Sequence, residues 1–255
     1  MNDYINPFKD VVFKYIFGRD ETKDLLISFI NAVLQDAEME QVTEIEILNP
    51  FNIQEFTEDK FSILDLKARD VNGEIINIEV QLTEQNGYKH RTLYYWAKLY
   101  SGQLKQSENY FELKPVICIN ILDFNLIKEL NNFHTCFLPY EYKNKNILLT
   151  GHFQLHFLEI TKFRESVKDL NDDLKFWFKY LTLEGLEKED EMKGVLDSKP
   201  EIFIAHEEYK KFTNNDKMRD LYEARLKWQR DHSTLIQQAK MEGLEKGKLE
   251  GKLEG

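Results

Sequence analysis

Two acidic residues, Asp65 and Glu79, stand on either side of an Asn-Gly turn in the stretch ILDLKARDVNGEIINIEVQL, residues 63–82. Successive side chains of a strand alternate between faces. Ser62, Leu64, Leu66 and Ala68 therefore share one face, and Ile63, Asp65 and Lys67 the other. On the second strand Ile76, Ile78, Val80 and Leu82 are apolar, with Asn77, Glu79 and Gln81 opposite them. A two-residue Asn72-Gly73 loop would set Asp65 against Val80 and force a carboxylate onto the apolar face. A three-residue loop, Val71-Asn72-Gly73, avoids this. It is entered from Asp70 as a type I turn and closed by Gly73 in a left-handed bulge. In that register Asp65 faces Glu79 and Ile63 faces Gln81, with paired Cβ atoms about 5 Å apart.

Two ionised carboxylates at that distance repel, and one takes up a proton unless a cation is present. A divalent cation with oxygen ligands, Mg²⁺ or Mn²⁺, suits such a pair. It would polarise a phosphate and lower the pKa of an attacking water. The residues alone also allow a second reading, in which the acids lie on a solvated hairpin face and Lys67 pairs diagonally with Glu79.

The elements that must hold this hairpin can be read around it. Asn6 as a cap and Pro7 at the first helical position predict a short helix stopped by Gly18. Asp20 caps a second helix, in which Leu25, Leu26, Phe29, Ile30, Val33 and Leu34 form one apolar stripe. VTEIEILNPFNI predicts a strand that breaks near Pro50, and residues 86–106 a helix. KPVICINILDF has the continuous apolar character of a strand buried on both faces. Residues 147–149 and 153–158 predict further strands, and beyond about Thr161 the pattern becomes amphipathic and helical. This organisation is an α/β domain over 1–160, a helical region over 161–239 and a low-complexity Gly/Glu/Lys tail over 240–255. In the tail Gly243, Gly247, Gly251 and Gly255 recur every four residues. Each costs a helix about 1 kcal/mol against alanine, so the tail is expected to fray or to become helical only against a partner.

The chain has 255 residues and a net charge of −11, which argues against a nucleic-acid binder that uses its whole surface. Residues 86–107 nevertheless contain no acid, and carry Lys89, Arg91, Lys98 and Lys105 among Tyr88, Tyr94, Tyr95, Trp96 and Tyr100. Arg91 and Tyr95, four apart, share a helix face that either meets a phosphate and a base or leaves the charges solvated while Tyr94, Trp96 and Leu99 pack on the sheet. Cys118 and Cys136 are too few for a disulfide framework and read as reduced core residues. No apolar run reaches membrane-helix length and no signal-peptide pattern opens the chain, so the expected location is cytoplasmic. There is no glycine-rich phosphate loop and no Ser or Cys nucleophile motif, and His152 and His156 are too far apart along a strand to act together.

The segments DVVFKYIFG, LLISFINAVL, ILNPFN, DLKARDVNGEIINIEVQ, YKHRTLYYWAKLYSGQL and KPVICINIL, in that order, resemble the Rpn family of recombination-promoting nucleases and transposases, a branch of the PD-(D/E)XK nuclease superfamily. The resemblance implies a restriction-endonuclease-like core, a mixed central sheet flanked by helices, followed by a helical C-terminal region. It implies a metal-dependent endonuclease acting on DNA in recombination or mobile elements. Asp65 and Glu79 would hold Mg²⁺ or Mn²⁺, and Gln81 would take the third motif position, where lysine is usual. Lys67 and Lys14 would supply the positive charge that Gln81 lacks, and Asp10 would act as a further carboxylate contacting the metal through water. From their spacing alone, Asp10 and Lys14 also read as an ordinary surface pair. Lys14, Lys89, Arg91, Tyr95 and Lys98 would contact DNA, and a homodimer contact would fall in the helical C-terminal region. Glutamine at position 81 and the acidic surface also fit a weak or inactive nuclease fold that binds DNA or a protein partner. A third expectation is an oligomeric interaction protein with no nucleic-acid role.

Overall fold

The computed structural model describes residues 5–51, 65–164, 170, 172–182 and 189–253. Its elements in chain order are α1 (Asp10–Phe17), α2 (Lys23–Asp36), β1 (Ile45–Ile47), β2 (Leu66–Asp70), β3 (Ile75–Gln81), α3 (Tyr88–Ser101), β4 (Val116–Leu122), β5 (His134–Phe137), β6 (Phe153–Glu159), α4 (Asp173–Thr182), α5 (Glu189–Leu196), α6 (Pro200–Thr213) and α7 (Asp216–Leu253). The six strands form one mixed sheet in the order β1-β2-β3-β4-β6-β5. β3, β4 and β6 run parallel, while the β1–β2, β2–β3 and β5–β6 pairs are antiparallel. All seven residues of β4 are buried, as its unbroken apolar run requires.

Helices cover both faces of the sheet. Tyr88, Trp96, Leu99 and Tyr100 of α3 pack on the face formed by Ile75, Val116, Cys118, Leu122, Leu155 and Phe157. The Trp96 indole N–H donates to the Val116 carbonyl at 3.0 Å, and the Tyr100 hydroxyl lies 3.0 Å from His152 Nδ1. The other face is an aromatic core in which Phe13, Phe17 and Phe29 meet Trp177 of α4. α1 belongs to this side: a Cβ added at Gly18, just past its end, would lie 3.3 Å from Leu66 Cδ1.

Several local expectations are corrected. Asn6 does cap a turn, its Oδ1 accepting from the Phe8 N–H at 2.8 Å, but the helix begins at Asp10, three residues after the expected start at Pro7. Asp20 opens a 3₁₀ turn, and α2 starts at Lys23. The helix expected over 86–106 is the shorter α3, entered through Gly87 in the left-handed region (φ 81°). Residues 147–149 contribute one isolated bridge, Tyr140 to Leu148, whereas His134–Phe137 is a strand not expected from the sequence. The contacts divide the described residues into two units at Lys211/Phe212. In the second, α7 continues as helix through the glycine-spaced segment to Leu253. Extending an existing helix avoids the nucleation that a solitary one must overcome, and that offsets the glycine penalties.

Candidate active site

The hairpin register places the two acids. β2 and β3 pair Leu66 with Ile78, Lys67 with Asn77 and Ala68 with Ile76. One step further along the same register, Asp65 lies opposite Glu79. The turn has the expected three residues: the Gly73 N–H donates to the Asp70 carbonyl at 3.1 Å, and Gly73 has φ 88°. Asp70 Oδ1 also accepts from the N–H groups of Asn72 and Glu74, at 2.9 and 2.7 Å, which fixes the turn. The expected Ile63–Gln81 pair falls outside the described residues.

Asp65 is pinned by a residue not singled out from the sequence. Asn49, just beyond β1, donates from Nδ2 to the Asp65 carbonyl at 2.9 Å and accepts at Oδ1 from the Lys67 N–H at 2.7 Å. Its side chain thus continues the β1–β2 pairing where Pro50 ends the backbone ladder. The Lys67 ammonium then reaches Asp65 Oδ2 at 3.0 Å. Lys67 therefore neutralises Asp65 on its own strand, not Glu79 across the hairpin as the second reading had it.

Glu79 is 6 % exposed, so the face that carries it is not a solvated one. Burial pushes its carboxyl above the usual glutamate range; Arg91 pulls it back, and the charge of Asp65 pushes it up again. Arg91 Nη2 donates to Glu79 Oε1 at 2.5 Å, and Nη1 to Gln85 Oε1 at 2.8 Å. The guanidinium lies 5.7 Å from the Tyr88 ring centre and 5.6 Å from that of Tyr95. The Tyr88 hydroxyl donates to Asn120 Oδ1 at 3.2 Å, and Asn120 Nδ2 donates to the His156 carbonyl at 3.1 Å, which ties α3 to β4 and β6 behind the acid. The field of Glu79 is felt across this face. Burial first, and Glu79 second, push the Cys118 thiol up to about 12.

The remaining candidates are spread around this centre. Gln81 Nε2 donates to the Thr83 carbonyl at 2.9 Å. Asp10 is buried, and its Oδ1 accepts from the Val11 N–H at 2.9 Å. The charge of the adjacent Lys9 reaches Asp123, whose N–H donates to the Gln81 carbonyl at 3.1 Å, so α1 begins at the end of the sheet where Gln81 stands. Lys14 lies one turn along α1 and is half-buried. Lys89 and Lys98 are exposed on α3 and Tyr95 is half-buried, whereas Tyr94, read in one alternative as packing on the sheet, is 64 % exposed.

The donor set suits a hard divalent cation, because it consists of two carboxylates facing each other across a strand pair. Asn77 Oδ1, buried on the same face, has no hydrogen-bond partner among the described residues and is a further oxygen. Among those residues no three His, Cys, Asp or Glu side chains gather to hold a metal directly. Cross-strand pairing also brings together histidines that looked unrelated: His134 Nε2 lies 3.1 Å from His156 Nδ1.

One family model, described as PD-(D/E)XK nuclease family transposase, matches residues 7–239. No curated protein and no solved structure matches the chain. The chain belongs to the PD-(D/E)XK nuclease family transposases.

Proposed function

We propose that this member of the PD-(D/E)XK nuclease family transposases is a divalent-metal-dependent DNA endonuclease, with Asp65 and Glu79 as the ligands of Mg²⁺ or Mn²⁺. The observation that carries the reading is the facing of these two acids, one pinned by Asn49 and the other buried beneath α3. When bound, the metal would polarise the scissile phosphate and acidify the attacking water. The chain's own groups do the rest. Gln81 orients water through its amide, Lys67 supplies positive charge beside Asp65, and Lys14 adds to it from α1. Asp10 contributes a water-mediated carboxylate. Lys89, Arg91, Tyr95 and Lys98 lie along α3 and guide the DNA backbone. The family description adds a link to mobile elements, and a cytoplasmic site of action is part of the proposal. So is a homodimer contact through the C-terminal helices, which sedimentation equilibrium would read.

The test is nicking of supercoiled plasmid across a Mg²⁺ and Mn²⁺ titration. Wild type should nick in proportion to metal, and Asp65→Ala and Glu79→Ala should fall to background. Equal residual cleavage in all three proteins would identify a contaminant and defeat the proposal.

A second reading is favoured by one feature: each acid already has a cation of the chain itself, Lys67 on Asp65 and Arg91 on Glu79. On that reading the site is a closed salt-bridge network in a nuclease fold that binds DNA or a protein without cutting. Calorimetry separates the two, since absence of Mg²⁺ and Mn²⁺ uptake alongside retained DNA affinity would select the second.

A further inference from the structure

Asp65 and Glu79 carry two negative charges, and Lys67 and Arg91 return two positive ones. A divalent ion added to this set would leave an excess of cations around two carboxylates, one of them buried. Lys67 touches only the more exposed acid and can stay in place. Arg91 Nη2, at 2.5 Å from Glu79 Oε1, takes up one of the two oxygens that Glu79 could offer an ion.

The guanidinium is held incompletely. An arginine docked fully on a carboxylate makes two parallel N–H···O bonds. Here one Nη engages Glu79, and Nε is buried with no hydrogen-bond partner among the described residues. The second Nη is held by Gln85, an exposed residue of the loop before α3. The helix itself is anchored by Trp96 and Tyr100, so a change in Arg91 needs only side-chain rotation. Its contacts with Tyr88 and Tyr95 mark a path from the buried acid towards exposed Lys98, which lies two turns on along the same side of α3 as Arg91.

We infer that Arg91 is an exchangeable counter-cation, which neutralises Glu79 when no divalent ion is bound and passes to a DNA phosphate when an ion takes Glu79. This rests on the metal-dependent reading above. Its consequence is coupling: the ion and DNA each tighten the binding of the other, by the same factor.

The test uses the full chain, a fluorescein-labelled duplex and Ca²⁺, another cation that binds through oxygen. Anisotropy is read at constant ionic strength in EDTA and in Ca²⁺, and calorimetry reads Ca²⁺ uptake. Wild type should bind DNA roughly fivefold or more tighter in Ca²⁺, the lower end of ordinary coupling. Glu79→Gln frees Arg91 without an ion, so it should bind tightly in EDTA and no longer respond to Ca²⁺. Arg91→Gln should bind DNA weakly and without a Ca²⁺ response, yet still take up Ca²⁺. The double variant should match Arg91→Gln. If the gain in Glu79→Gln survives in the double variant, it comes from removing charge alone, and the exchange is refuted. Ca²⁺ uptake by wild type with unchanged DNA affinity refutes the exchange but spares the metal reading, whereas no uptake removes both. Should Arg91→Gln fail to fold, wild type against Glu79→Gln still decides, because an unchanged EDTA affinity overturns the inference.

Discussion

Acidification is expected to loosen this protein through one buried ring. The His156 side chain on β6 has no exposed surface. From β5 it is faced by His134, at 3.1 Å from its Nδ1, and by Cys136, whose Sγ lies 3.8 Å from its Nε2. From α2, Asp36 Oδ2 lies 2.5 Å from the far nitrogen of His134. Burial above all, and then the neighbouring His134, lower the His156 pKa from 6.5 to about 3, with Asp36 opposing. The unfolded chain regains the ordinary value, so on acidification it takes up a proton that the folded chain refuses. The contribution to stability is therefore complete above 6.5 and drains away as the pH falls towards 3. At about pH 5 the unfolded ring is ~1.5 units past its midpoint, and at ~1.36 kcal/mol per unit the loss is roughly 2 kcal/mol. Glu79 acts in the opposite sense, since its raised pKa makes the folded state gain stability as the pH falls into the window just above 4.5. Urea midpoints of wild type and His156→Gln at about pH 7 and about pH 5 isolate the ring, because Glu79 is common to both proteins. Wild type should lose roughly 2 kcal/mol more than the variant between the two conditions. Equal losses would refute the reasoning.

Asn49→Ala removes the side-chain bridge across Asp65. It should cost about 1–2 kcal/mol by urea denaturation and weaken Mn²⁺ uptake by calorimetry at temperatures where the protein remains folded. Gly73→Ala forces a side chain into the left-handed region at φ 88°, and a thermal melt should show a loss of about 1 kcal/mol with the fold retained. Glu159 is fully buried, accepts from the Leu126 and Ile127 N–H groups and pairs with Lys162 at 2.6 Å. Glu159→Ala strands these donors and a cation and should cost about 3–5 kcal/mol by chemical denaturation.

How much of this was legible depends on how local each constraint is. The facing of Asp65 and Glu79 followed from alternation and from the turn chemistry of Asp70 and Gly73, all within one hairpin, and the structure keeps that register. The burial of β4 was equally plain from its unbroken apolar run. The counter-ions were not. The second reading of the sequence put Lys67 across the hairpin and Glu79 in solvent; Lys67 sits instead on Asp65, and nothing in the strand of Glu79 announces that α3 will cover it. Asn49 carried a faint signal, an asparagine directly before the proline that ends β1. β5 gave little, because HTCF is short and mixed in polarity and owes its place to pairing with β6. The helix of α7 ran against its glycine content because it inherits a nucleus from the chain before it.

Asn49, Asp65, Lys67, Glu79 and Arg91 all leave the ribosome before Val116–Leu122, the strand that supplies Cys118 and Asn120 to the same face. Hairpin and helix contacts close over short stretches of chain and form early, whereas pairing with β4 and β6 closes longer loops and comes later. Glu79 is therefore expected to meet Arg91 while both are still in water and to enter the interior already neutralised, sparing the nascent fold the several kcal/mol of burying a lone carboxylate. Arg91→Gln should accordingly refold more slowly than wild type near neutral pH and recover as acid protonates Glu79. A rate deficit that does not change with pH would show that the pair assembles only after the sheet has closed.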